Sequence, residues 1–211
     1  MNRVKLFSIC MALLFPFLSH AQEPPIISGI KINAGLKVGL NLAMLNGEQW
    51  ENGYRANALG GVFARLHNGR FGVQAEAFFS QSSYTTGKGF KIAYDSLLIP
   101  FKDSLKKGTF RVSYLNIPLM VQVKLVSRVW LQLGVQYSGV VSVKDQDEFV
   151  KDAGDLFKHS TVSGVGGVWL DLPFHINAGA RYVLSFSDTN KPDIEGSWKQ
   201  RNIQFHIGLT L

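Results

Sequence analysis

Four charged residues stand where charge is unexpected. Lys37, Glu76, Lys124 and Arg181 each sit inside a stretch in which every second residue is apolar. Gln74 and Gln136 occupy equivalent positions in their own stretches. One carboxylate with three cations and two amides can do acid–base chemistry, line a conducting path, or form a hydrogen-bonded plug. Histidine is the other source of chemistry, and His67, His159 (next to Ser160), His175 and His206 are scattered along the chain. A serine nucleophile needs a base in contact with it, and no Gly-x-Ser-x-Gly, His-Glu-x-x-His or Walker motif is present. We therefore expect no catalytic residue, no cofactor and no metal site, with a lipid-modifying hydrolase or acyltransferase as the alternative.

The elements that must position these residues are strands. Between Tyr114 and Lys124, Leu115, Ile117, Leu119, Val121 and Val123 share one parity, and Asn116, Gln122 and Lys124 share the other. Side chains of a strand alternate faces, so this strand shows one apolar and one mostly polar face. Its length suits a tilted strand crossing a hydrocarbon core. The pattern recurs at 34–45, 58–66, 71–81, 131–142, 161–170, 174–182 and 203–211. The glycine-rich sixth stretch does not reveal its facing. His67-Asn68-Gly69-Arg70 reads as a tight primed hairpin turn. Connections alternate long and short, as in an up-and-down barrel with short periplasmic turns and longer external loops. The expected fold is all-β, an eight-stranded antiparallel transmembrane β-barrel. Proline is usually confined to strand edges or bulges, so Pro118 predicts a bulge or a missing ladder bond.

Alternation alone does not distinguish this barrel from a soluble one with its apolar face inward. Three features favour the membrane arrangement. The polar set is mostly Gln, Asn, Gly and Ser rather than Lys and Glu. The final strand ends on apolar Leu211, and Phe71 and Phe174 share the apolar parity beside short turns, as in an interfacial girdle. Trp130 and Trp169 also flank short turns, but Trp130 has the wrong parity for a girdle. In the membrane arrangement Lys37, Glu76, Lys124 and Arg181 face the lumen, since Lys or Arg facing lipid costs ~2–4 kcal/mol at mid-bilayer. Eight strands leave an interior that side chains fill. The expectation is a structural polar cluster of these four with Gln74 and Gln136, Glu76 lying near one or more cations.

The N-terminus carries Arg3 and Lys5, an apolar run from Leu6 to Leu18, then Ser19-His20-Ala21. This reads as a secretory signal peptide over 1–21, followed by a short periplasmic segment at 22–33 and the barrel at 34–211. The one cysteine, Cys10, falls within the signal, which leaves no thiol for a disulfide or a thiolate metal site. The chain is mildly basic, formal net charge +7, with cations scattered rather than clustered, so nucleic acid is not an expected partner. Inside the polar segment 82–109, Leu97, Leu98, Ile99 and Phe101 form an apolar group that is a candidate partner contact.

Several stretches together resemble the small outer-membrane β-barrel family of Bacteroidetes that includes the PorT proteins. They are Gly35–Leu42, Phe71–Glu76, Tyr114–Leu119 and Gly179–Tyr182. The chain departs from that pattern at Asn116, where an acidic residue is usual, and at Leu211, where an aromatic is common. The resemblance implies a non-enzymatic envelope protein surrounded by outer-membrane lipid and lipopolysaccharide. It also implies insertion by the barrel-assembly machinery and an envelope protein partner met through the external loops. PorT itself is associated with gliding-related protein secretion.

Overall fold

The computed structural model describes residues 29–211, apart from 48, 88–107, 148–153, 155 and 191–195. Eight strands follow one another: β1 (Lys31–Asn46), β2 (Arg55–Asn68), β3 (Phe71–Thr85), β4 (Thr109–Val126), β5 (Val129–Asp145), β6 (Ser160–Asp171), β7 (Ile176–Ser185) and β8 (Lys199–Thr210). Each pairs antiparallel with its neighbours, and β1 pairs with β8 from Gly35↔Thr210 to Asn46↔Lys199, closing the barrel. Closure satisfies every strand edge, which a sheet in hydrocarbon requires. β1 begins at Lys31, so the last residues of the expected N-terminal segment belong to the barrel. The expected signal peptide and Leu97, Leu98, Ile99 and Phe101 lie outside the described residues.

The facing of the side chains is that of a membrane barrel. Leu36, Val38 and Leu40 are 53%, 67% and 53% exposed, while Lys37 and Asn41 between and beside them are 2% and 0% exposed. Ile117, Leu119 and Val121 on β4 are exposed, and Asn116, Met120 and Gln122 are buried. An apolar belt this continuous around a closed barrel is a liability in water and a solvent match in lipid. On β6 the inward set is Thr161, Ser163, Val165 and Trp169, opposite outward Val162 and Val168.

The short turns are at 69–70, 127–128 and 172–175. In the first, Gly69 takes φ +55° and Asn68 closes the ladder against Phe71, so the turn is primed, with Gly-Arg rather than Asn-Gly at its centre. In the third, Phe174 and His175 both have positive φ, 61° and 59°. Phe174 is thus in the turn rather than in the strand, because Ile176 N bonds back to Pro173 O and begins β7. Proline at 118 acts on one side only. The β3–β4 register runs from Ala75↔Leu119 to Phe78↔Asn116 without the two pairs between, while Pro118↔Gln136 is kept on β5. Pro118 has no N–H to give to β3. The register shifts of β4 fall elsewhere, at Ser113/Tyr114 and Lys124/Val126.

Candidate functional site in the barrel lumen

The lumen is filled in three layers. At membrane depth, Glu76 on β3 lies at the centre. Arg181 on β7 grips it with two parallel bonds, Nη1 to Oε2 at 2.7 Å and Nη2 to Oε1 at 2.6 Å. Lys37 on β1 donates to Oε2, and Gln74 Nε2 donates to Oε1 at 2.5 Å. All three charged side chains are almost wholly excluded from solvent. Charge-assisted, bidentate bonds of this kind are the strong ones. They tie together three strands that do not pair with one another. Gly61 on β2 lies opposite both Lys37 and Phe78. A Cβ there would stand 2.4 Å from the Phe78 Cα, so glycine is needed at this close approach.

Gln74 passes the network on, its Oε1 accepting Gln122 Nε2 at 2.6 Å. Gln136 belongs to a separate group: it donates to Asn116 Oδ1 at 3.1 Å and Ser138 Oγ at 3.0 Å, and Asn116 in turn donates to Ser80 Oγ at 2.9 Å. The expected cluster of six is therefore four residues, Lys37, Gln74, Glu76 and Arg181, with Gln136 in a neighbouring polar group. Lys124 does not join them. It sits near the 127–128 turn, its Nζ 5.4 Å from the Trp130 ring centre. Its position two residues from the end of β4 puts it too close to the barrel mouth to reach Glu76.

At the turn end a second carboxylate organises the lumen. Asp171 accepts Trp130 Nε1 at 2.7 Å, Trp169 Nε1 at 2.8 Å and Arg65 Nη1 at 2.9 Å. The Arg65 guanidinium lies 4.2 Å over the Trp130 ring, a cation–π contact. Phe63 packs edge-on against Trp169, and His67 bonds Asn33 at 2.9 Å while its ring abuts Trp130. Both tryptophans point inward and are 1% exposed, so neither is part of a lipid girdle. Sequence reading missed this group. The available signal was parity: Trp130 shares a face with Gln132, and Arg65 would otherwise face lipid.

At the loop end the filling is aromatic. Trp50 meets Tyr84, Phe110, Phe157 and Trp198 with ring centres 6.0, 5.6, 6.0 and 5.0 Å away. Ala43, Leu45, Val112, Tyr114 and Leu156 complete the buried cluster. The rings come from or border all four long connections. Backbone pairs reinforce them, with Trp50 bridged to Thr86 and Phe157 to Asn190. The described ends of these connections are thereby joined across the mouth.

The histidines are not assembled into one site. His159 lies at the loop end beside β6, His206 packs on Trp169 inside the lumen, and His67 and His175 border the turn end. Among the described residues no three metal-ligating side chains converge.

The model of the family described as outer membrane protein beta-barrel domain matches residues 20–191. Among solved structures, Ail, the attachment invasion locus protein of Yersinia pestis, is similar at 11% identity and TM-score 0.46, over 86% of this chain and 99% of that one. Neisserial surface protein A is similar at 10% identity and TM-score 0.45, over 86% and 99%. A comparison with curated protein sequences found no match. The family match spans most of the chain: this protein belongs to the outer membrane protein beta-barrel domain family.

Proposed function

We propose that the chain is a non-enzymatic outer-membrane barrel of the PorT-like type, with a structural or interaction role at the cell envelope. One observation carries this reading: the lumen is occupied from end to end by the Asp171 group, the Glu76 network and the Trp50 cluster. The filling favours a scaffold that presents its loops over a pore or a lumenal catalytic chamber. The Trp50 cluster favours the loop end as the surface that meets an envelope protein partner. Lipid and lipopolysaccharide surround the apolar belt, and the barrel-assembly machinery inserts the chain after signal cleavage. A link to protein secretion completes the proposal and rests on the residue resemblance alone.

Two measurements test the proposal. Reconstituted in a planar bilayer, the protein is expected to give no conductance above the lipid baseline, and stable single-channel steps would contradict it. Incubated with phospholipid and lipopolysaccharide, it is expected to release no fatty acid. Turnover that disappears in a His159→Ala, Ser160→Ala variant would replace this reading with the lipid-modifying one.

A further inference from the structure

Arg111 on β4 and Lys144 on β5 stand directly opposite one another in the ladder. Both take the outward parity of their strands, while Val112 and Val143 beside them pack inward on the Trp50 cluster. Like charges placed opposite each other destabilise a sheet. Among the described residues neither cation has an ion-pair partner. Asp145 and Asp147 are close in sequence but engaged elsewhere. Asp145 lies opposite buried Phe110 and accepts Asp147 N at 3.1 Å, and Asp147 accepts Thr109 N at 2.9 Å. Ser113 and Ser142 oppose each other in the next outward row toward the membrane. The pair also lies at a definite height. Val141, 57% exposed, is the last outward apolar residue of β5. Lys144 is three residues beyond it, about 10 Å along the strand and ~7–8 Å along the membrane normal at the usual tilt. The headgroup layer flanking the hydrocarbon is about 5–8 Å deep. Two unpaired cations therefore meet at headgroup level on the loop side.

We propose that Arg111 and Lys144 bind the phosphate monoester of a phosphorylated glycolipid in the outer leaflet. The proposal rests on the membrane reading, with the long connections outside. A phosphate monoester carries about −1.5 to −2 charges at neutral pH, which matches two adjacent cations. The phosphodiester of a glycerophospholipid carries a single charge and matches one. The Arg111 guanidinium offers a planar fork to phosphate oxygens, and Lys144 a point charge. The Ser113 and Ser142 hydroxyls supply further donors.

The full chain folded in detergent micelles is titrated with diphosphorylated lipid A, with the same lipid after its phosphates are removed, and with phosphatidylglycerol. Bound lipid is counted by native mass spectrometry. Diphosphorylated lipid A is expected to bind at least about tenfold tighter than the other two, and excess inorganic phosphate should not displace it. Arg111→Gln, at a half-buried position, and Lys144→Gln, at an exposed one, should each weaken it about tenfold. Arg128→Gln removes one exposed cation at the opposite end of the barrel and should leave affinity unchanged. Equal binding of phosphatidylglycerol or dephosphorylated lipid, displacement by inorganic phosphate, an equal loss in Arg128→Gln, or unchanged affinity in folded Arg111→Gln would overturn the proposal. Should Arg111→Gln fail to fold, unchanged affinity in Lys144→Gln overturns it. A spin label at Leu119 in the bilayer-reconstituted protein separates two failures. High oxygen collision beside any of these outcomes removes the site and leaves the membrane reading standing, whereas low oxygen collision overturns both.

Discussion

The lumen at membrane depth and the lumen at the loop end are filled by opposite chemistry. At membrane depth the space is held by one carboxylate, two cations and amides, all hydrogen-bonded across the barrel. At the loop end it is held by Trp50 and the four aromatic residues around it. The difference follows from what surrounds each level. Where lipid takes the apolar parity outward, the inward parity is polar, and its charges must pair because nothing else solvates them. Above the lipid, the loops face water outside, and the apolar side chains turn in against one another as in a soluble core.

The comparison predicts different responses to substitution. Glu76→Gln leaves Lys37 and Arg181 buried beside a neutral amide, and should cost about 3–5 kcal/mol of unfolding free energy in denaturant titration. A loss below about 1 kcal/mol would show that the network is solvated. Trp50→Ala removes the shared ring of the loop-end cluster and should cost about 3 kcal/mol, the low end for a buried tryptophan because connecting segments relax around the gap. Limited proteolysis should localise the damage to the long connections, leaving the strands protected. Lys37→Met removes the surplus cation while keeping its volume, with the bidentate Arg181 pair intact, and should cost about 1 kcal/mol or less. A penalty equal to that of Glu76→Gln would mean that Lys37 is not surplus to the network. The smallest effect is a gain. His175→Gly relieves one left-handed residue, partly offset by the freer unfolded chain, and should stabilise by about 0.5 kcal/mol, read as a raised denaturation midpoint.

Much of the barrel was legible because a membrane imposes a simple rule on strands. The parity of Leu115 to Val123 specified the facing of β4, and the same rule sent Lys37, Glu76 and Arg181 to one interior. It failed where the rule does not apply. Lys124 obeys parity but lies at the mouth, and height along a tilted strand is not written in alternation. Trp130 looked like a misplaced girdle residue because its partners, Asp171 and Arg65, are distant in sequence and meet only after closure. The loop-end cluster was invisible for a related reason. Trp50, Phe157 and Trp198 belong to or border connecting segments with no periodicity, so only the closed ring brings them together. Phe174 was assigned to a strand because it continues an alternation, whereas the backbone needed two residues to turn on Pro173.

The central claim is that the apolar face of the closed barrel meets lipid and the polar face meets itself. Spin labels placed singly at Leu115, Ile117, Leu119, Val121 and Val123 in the bilayer-reconstituted protein test it most directly. Collision with dissolved oxygen should be high at all five and greatest at Leu119, while collision with a water-soluble nickel chelate stays low across the middle of the strand. High nickel accessibility with low oxygen accessibility at Ile117 to Val121 would place this face in water and contradict the account.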